Sequence, residues 1–293
     1  MPERSLDMAF WYALAFRAAA LLPPWLRRLV ARVIAWGYFI INRSQRRGVF
    51  ANLRVMEPDL SWARRLFLAV RTFQQAALNL VDFFSLPSTA DDDIRKLAIN
   101  FDELPGQLYD IAGGRPFCLV TGHYGHWELA GAMLGLAGYR VHAIALPQAS
   151  GALQSLYETL RTRFGVLAHD IRSGLRDILR NLPEGDVPAI VSDRDYTGSG
   201  ERVEFFGRPV SFPRGAAMIC FRKDLVGIPG FLVRQPDGRF RLELGSAIRP
   251  ETDNEHLWIR QFVVEFARQY EAVARKDPTQ FLNFYAYWED ARA

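Results

Sequence analysis

Cysteine is nearly absent from this chain: two occur in 293 residues, Cys118 and Cys220, each inside an apolar stretch. They provide no disulfide framework and suit a reducing compartment, with both thiols packed rather than nucleophilic. A Gly-x-Ser-x-Gly elbow is also missing, so a triad hydrolase carrying its own serine is not expected. The five histidines are scattered, without the Cys/His clustering that structural or catalytic zinc needs, and no metal is expected. Lysine is scarce, with three against 33 arginines. That ratio reads as compositional bias, and no aromatic-interleaved basic strand or recognition motif points to nucleic acid. No repeat or low-complexity tract occurs. No apolar run reaches the roughly 18 uninterrupted residues that a spanning helix requires.

What is present is unevenly spread. Residues 1–65 hold eleven arginines against Glu3, Asp7, Glu57 and Asp59, a net of +7, so the rest of the chain sums to −3 against the total of +4. The same region is greasy, reading MAFWYALAFRAAALL over Met8–Leu22 and WLRRLVARVIAWGYFII over Trp25–Ile41, on either side of Pro23-Pro24. At about 100° per residue, Arg27, Arg28 and Arg32 fall on one arc of a helix while Leu29, Val30, Val33 and Ile34 fall on the other. This pattern predicts interfacial helices whose apolar face enters a bilayer while the arginines meet anionic headgroups. Packing of these helices on the domain and a single-pass anchor are the other readings. Arg17 within the apolar run, and Glu3 and Asp7 before it, speak against a cleaved signal peptide.

The middle of the chain alternates strand and helix. Phe117–Thr121 is expected as a strand, His126–Leu136 as a crossover helix, Val141–Leu146 as a strand, Leu153–Phe164 as a helix, and Val187–Ser192 as a strand ending at Asp193. Pro213-Arg214-Gly215 opens a further helix, and Gln235-Pro236-Asp237-Gly238 joins a hairpin at a sheet edge. The expected fold is therefore α/β: a largely parallel central sheet flanked by helices, preceded by N-terminal membrane-associating helices. The expected division is residues 1–65 for the cationic helices and 66–293 for the α/β domain. Ligands of such sheets sit beyond the carboxyl ends of the strands, where His123 and Asp193 both emerge.

The strongest chemical signal is Thr121–Gly131, TGHYGHWELAG, which sets His123 five positions ahead of Glu128 just past an apolar strand. On one continuous helix such residues lie about 140° apart and could not meet. A strand-to-helix bend removes that difficulty, letting Glu128 point back at the imidazole of His123 while the helix N-terminus keeps the carboxylate ionised. A carboxylate on one ring nitrogen fixes the tautomer and stabilises the imidazolium formed when the other accepts a proton. This is general-base chemistry on an alcohol, and the nucleophile is read as a substrate hydroxyl. Arg161 and Arg163 are candidates for binding substrate phosphates through fixed guanidinium donors. His126 reads as a surface or helix-start residue.

These residues resemble the His-x4-Asp/Glu box of the bacterial lipid A biosynthesis acyltransferases, within the wider glycerolipid acyltransferase superfamily. Asn52-Leu53, RTRFG (Arg161–Gly165), SDRDY (Ser192–Tyr196), VEFFGRPV (Val203–Val210) and DPTQFLNFYAYW (Asp277–Trp288) follow in that family's order, so the likeness covers roughly residues 10 to 290. This chain departs from the usual pattern at His126, where the family carries asparagine, and at Phe281, where it carries tryptophan. The resemblance implies a glycerol-3-phosphate acyltransferase-like fold with His123 as base and Glu128 as its partner. It also implies an acceptor pocket lined by the block holding Asp193 and Asp195.

The implied reaction moves a fatty acyl group from a thioester to a hydroxyl of a membrane glycolipid, foremost a lipid A precursor, on the cytoplasmic face of a bacterial inner membrane. The protein would sit there peripherally or by an N-terminal anchor. Acyl carrier protein is the expected donor partner, with coenzyme A the alternative co-substrate, and no further cofactor is expected. A phosphatidylinositol mannoside is an alternative acceptor. The rival classes are a metal-dependent hydrolase built on His123, His126, Glu128 and Asp193, and a lipid-binding protein without turnover.

Overall fold

The computed structural model describes residues 22–148 and 151–288. Three helices come first: α1 (Pro24–Ile41), α2 (Arg43–Met56) and α3 (Trp62–Ser85). Their starts are locally encoded. Proline occupies the first turn of α1, where its missing N–H costs nothing, while Asn42 and Ser61 cap α2 and α3 by accepting from Gln45 N–H and Arg64 N–H. The third helix runs unbroken through positions 65 and 66. The second is tied to the far end of the chain, because the buried Asn52 amide donates to the carbonyls of Asn283 and Tyr285 and its oxygen accepts from Tyr287 N–H.

Short helices α4 (Asp91–Leu97) and α5 (Leu104–Ala112) lead into the central layer. It continues as β1 (Phe117–Thr121), α6 (Trp127–Leu136), β2 (Val141–Ala145), α7 (Gly151–Arg163), β3 (Val166–Asp170), α8 (Gly174–Asn181) and β4 (Val187–Val191). A two-stranded hairpin of β5 (Glu201–Phe205) and β6 (Arg208–Phe212) follows, then α9 (Gly215–Lys223), β7 (Val226–Arg234), β8 (Phe240–Leu244) and α10 (Glu255–Ala274). The sheet order is β3-β2-β4-β1-β7-β8, parallel throughout except for β8, which pairs antiparallel with β7 at the edge.

The expected largely parallel sheet, its crossover helices and its edge hairpin are all present. The central strand β1 is buried on both faces, as parallel strands covered by helices must be. Leu119 packs with Leu129, Met133 and Leu160 of the α6 and α7 layer. Cys118 and Val120 face the opposite layer with Ile219 of α9 and Phe262 of α10. Both cysteines are buried and free. All parallel strands thus deliver their carboxyl ends to one edge.

The arcs of α1 are divided as expected, but the arginine arc faces inward. Arg27 Nη1 donates to Ser85 Oγ at 2.7 Å and Arg28 lies 3.8 Å from Asp82, both partners on α3. Ala31, Ala35 and Phe39 are buried against that helix, with Phe39 edge-on to Phe73. The other half of α1 is exposed and apolar, including Trp25, Leu29, Val33, Ile34, Trp36 and Ile40. Two of the three arginines expected at headgroups therefore serve packing, because Asp82 and Ser85 offer them partners on the neighbouring helix. No helix among the described residues is long and apolar enough to cross a membrane. The Met8–Leu22 run, apart from Leu22, lies outside the described residues.

Candidate functional site

His123 lies in the loop between β1 and α6, two residues past the strand. The loop is fixed from three sides. Its residue Gly125 has φ +62°, a left-handed conformation that favours glycine, and a Cβ there would come within 2.2 Å of the Leu232 carbonyl oxygen. Gly125 N–H donates to the Gln280 carbonyl, Leu282 N–H donates to the His123 carbonyl, and the Asn79 amide of α3 donates to the Gly125 carbonyl at 2.6 Å. The C-terminal segment around Gln280–Asn283 is thus the outer wall of the loop.

The carboxylate at the imidazole belongs to Asp193, at the end of β4. Its Oδ1 is 2.6 Å from His123 Nδ1, and its Oδ2 accepts the His123 backbone N–H at 2.8 Å. Asn283 Nδ2 and Tyr270 OH approach the same Oδ2 at 3.3 and 3.4 Å. Burial of Asp193 would push its pKa up, but the His123 imidazole, its ring and backbone N–H groups and the nearby Arg194 guanidinium outweigh this and hold the carboxyl below its ordinary value. An ionised carboxylate has no proton to give, so Nδ1 is the donor and Nε2 is left as the basic nitrogen of neutral His123. Trp127 packs edge-on against the imidazole, with ring centroids 4.9 Å apart.

Glu128 is not the partner of His123. It stands in the first turn of α6 as expected, but its oxygens accept from Arg161 Nη2 at 2.5 Å and Arg161 Nε at 3.1 Å, a bidentate pair. The bend at Gly125 brings His123 and Glu128 to one cavity without turning them toward each other, because a guanidinium from α7 reaches the carboxylate first. Arg161 is thereby committed to Glu128. Arg163 points elsewhere: it donates to the carbonyls of Leu86 and Thr89 and pairs with Asp91 at 2.7 Å, anchoring α7 to the segment before α4. Asp195 accepts from Ser211 Oγ, Thr197 Oγ1 and the backbone N–H groups of Thr197, Gly198 and Gly200. Burial would raise its pKa, yet the Ser211 hydroxyl and these loop donors hold it at about 2.

His126 caps α6, accepting Leu129 N–H on Nδ1 at 3.3 Å. The helix-start expectation holds and the surface expectation does not, since the residue is 2% exposed and its Nε2 has no partner among the described residues. Burial, reinforced by the Arg234 charge, drives its pKa well below the ordinary histidine value. His123, His126, Glu128 and Asp193 therefore do not converge on one point as a metal-dependent hydrolase would need. Among the described residues no group of three or more acidic, histidine or cysteine side chains is placed to hold a metal ion.

A cavity of about 680 Å³ opens at this sheet edge. His123, Trp127, Glu128 and Arg161 line it together with small or aliphatic side chains such as Leu119, Ala143, Ala189 and Met218. Ser192, Arg194, Asp195 and the residues that open α9, Pro213, Arg214 and Gly215, line the same cavity. An apolar cleft of this size with a few convergent polar groups suits a ligand with a long hydrocarbon part.

A family model described as bacterial lipid A biosynthesis acyltransferase matches residues 2–290. The chain belongs to that family. Relatives include the phosphatidylinositol mannoside acyltransferases of Mycobacterium tuberculosis strains CDC 1551 / Oshkosh and ATCC 25618 / H37Rv, each 26% identical over 156 residues. That match covers 50% of this chain and 48% of the relatives, so it spans about half the length of these curated proteins. Of the residues that the family likeness singled out, His123, Glu128, Arg161 and Asp195 line the cavity, whereas Arg163 is held by Leu86, Thr89 and Asp91. Asn283 and Tyr270 complete the surroundings of Asp193; Tyr270 carries no local motif, and nothing in the DPTQFLNFYAYW block singles out Asn283. Their distance in sequence from His123 hid them.

Proposed function

We propose that this protein transfers a fatty acyl group from a thioester to a hydroxyl of a membrane glycolipid, with His123 as the general base and Asp193 as the carboxylate that orients it. The observation that carries this reading is the 2.6 Å contact between Asp193 and His123 Nδ1, with His123 lining a large apolar cavity. The hydroxyl of the acceptor would give its proton to His123 Nε2 as its oxygen attacks the thioester carbonyl. The resulting imidazolium, paired with Asp193, would return that proton as the thiolate leaves. The ester bond forms, the thioester bond breaks, and the base is restored.

Glu128 then acts indirectly. Paired with Arg161, it locks the first turn of α6 to α7 and keeps the rim charge-neutral. This makes it a positioning residue rather than the ring's partner. Two acceptor classes fit the family and its relatives: a lipid A precursor, suggested by the family's description, and a phosphatidylinositol mannoside, suggested by the mycobacterial relatives. A donor on acyl carrier protein suits the arginine-rich exterior, since such carriers are acidic. The exposed apolar half of α1 supports attachment to a bilayer, on the cytoplasmic face where acyl thioesters are made.

The test supplies the purified full chain with a radiolabelled acyl thioester, on carrier protein and on coenzyme A, together with a bacterial lipid extract. The reading predicts label in an ester-linked glycolipid, whose mass increment names acceptor and chain together. Release of free fatty acid alone, or no consumption of either thioester, would overturn it.

A further inference from the structure

The cavity is lined by a polar group that the acyl-transfer reading does not use. Ser192, the last residue before Asp193, is 2% exposed and lines the cavity, yet its hydroxyl has no hydrogen-bond partner among the described residues. Unpaired buried hydroxyls are costly and uncommon, so one that lines a cavity marks a place where a ligand supplies the partner. Pro213, Arg214 and Gly215, at the beginning of α9, line the same cavity.

This end of α9 is open. Arg214 at the cap position makes no side-chain cap bond, no acidic residue lies in the first turn, and the first helical bond runs from Met218 N–H to the Arg214 carbonyl. The N–H groups of the first turn therefore place the partial positive charge of the helix at the cavity lining. At Gly215 a Cβ would meet nothing within 4 Å, so the backbone borders open space.

Charge completes the picture. Arg214 Nε lies 2.9 Å from Glu201 Oε1 but off the line a hydrogen bond needs, an ion pair that orients the guanidinium without satisfying that N–H. Arg194 also lines the cavity, held by Asn283 and by the Leu282 carbonyl. Asp195 is the carboxylate on this side, and five donors already occupy its oxygens.

We propose that Ser192, Arg214 and the first turn of α9 form a phosphate-binding subsite of the cavity. It rests on the reading that this cavity receives the substrates, and extends it: a hydroxyl donor, a guanidinium and a helix N-terminus together suit a phosphate monoester or diester. The phosphate belongs either to the lipid headgroup or to the pantetheine arm of the donor, and the test separates the two.

Binding is measured by calorimetry on the full chain in a His123→Ala background, so no turnover intervenes. Inorganic phosphate is titrated first, followed by phosphopantetheine against pantetheine and by dihexanoyl phosphatidylinositol against dihexanoylglycerol. Arg214→Gln should weaken inorganic phosphate about tenfold or more, and Ser192→Ala by a few-fold, as expected for losing a charged and a neutral hydrogen bond. Arg214→Lys should restore most of the affinity and guards against a folding defect in the glutamine variant. The substrate source is the pair whose phosphate-bearing member loses affinity in Arg214→Gln while its phosphate-free counterpart does not. The proposal falls if inorganic phosphate does not bind, if both variants bind it like the parent, or if neither pair responds. Phosphate binding here without any acyl transfer by the His123 protein would refute acyl transfer and leave the subsite standing.

Discussion

Asp193 holds His123 at two points, accepting its backbone N–H at 2.8 Å and facing its ring Nδ1 at 2.6 Å, although the residues are 70 positions apart. One carboxylate thus fixes both the loop that carries the imidazole and the rotation of the ring. Such double fixing comes from topology, because β1 and β4 are parallel neighbours whose carboxyl ends meet at one edge.

The pair of Glu128 and Arg161 is expected to behave as a clamp. Both side chains are largely buried, so removing either leaves the other poorly solvated, whereas removing both leaves neither charge stranded. Chemical unfolding of Glu128→Ala, Arg161→Ala and the double variant should give single losses of about 1–3 kcal/mol and a coupling of similar size. Additive losses would show that the two residues act separately.

Gly125→Ala should be severely damaging. The substitution combines a strained left-handed backbone with a Cβ overlapping the Leu232 carbonyl, and we expect about 2–4 kcal/mol of lost stability. The loop displacement should also lower turnover in protein that remains folded. Thermal melts and acyl-transfer rates, measured together, check both.

His126 makes stability depend on pH. Its folded pKa lies well below the ordinary value because of burial and Arg234, so below about pH 6.5 the unfolded chain binds a proton that the folded chain refuses. Stability should therefore fall as pH drops, by up to about 1.4 kcal/mol per pH unit from this group. His126→Asn retains a cap acceptor and removes the titrating ring, so the slope of unfolding free energy between pH 5 and 6.5 should shrink. His169, lowered by burial and by His142, contributes in the same direction and leaves a residual slope. An unchanged slope in the asparagine variant would contradict this assignment.

The exposed face of α1 should govern attachment to lipid. Val33 and Ile34 are 64% and 62% exposed and point away from α3. The double variant Val33→Glu, Ile34→Glu should leave folding intact and shift the protein from floating with anionic vesicles to remaining in solution. Equal flotation of the variant and the parent would remove this face from membrane contact.

Much of the scaffold was legible in the chain, because Phe117–Thr121, Val141–Ala145 and Val187–Val191 are short apolar runs bounded by turn residues and separated by helical patterns. The convergence of His123 and Asp193 followed from that topology. Their direct pairing did not, because the His-x4-Glu spacing offered Glu128 as a nearer carboxylate, and only the position of Arg161 shows why Glu128 is taken. The β5–β6 hairpin was missed for a local reason. Its turn uses Phe206 at φ +54°, a conformation that a phenylalanine rarely adopts, held here by Phe206 N–H donating to Glu271. The inward face of α1 was equally hidden, since an arc of arginines reads as solvated until Asp82 and Ser85 are known to lie beneath it.

In the proposed mechanism Asp193, through His123, activates the acceptor hydroxyl. The most direct test compares the acyl-transfer rate of the parent with Asp193→Asn, Glu128→Gln and His123→Ala under identical conditions, with melting temperatures recorded alongside. The account predicts that Asp193→Asn and His123→Ala each lose about 10²-fold or more while remaining folded, and that Glu128→Gln loses less. An Asp193→Asn protein that transfers acyl groups at the parental rate would contradict it.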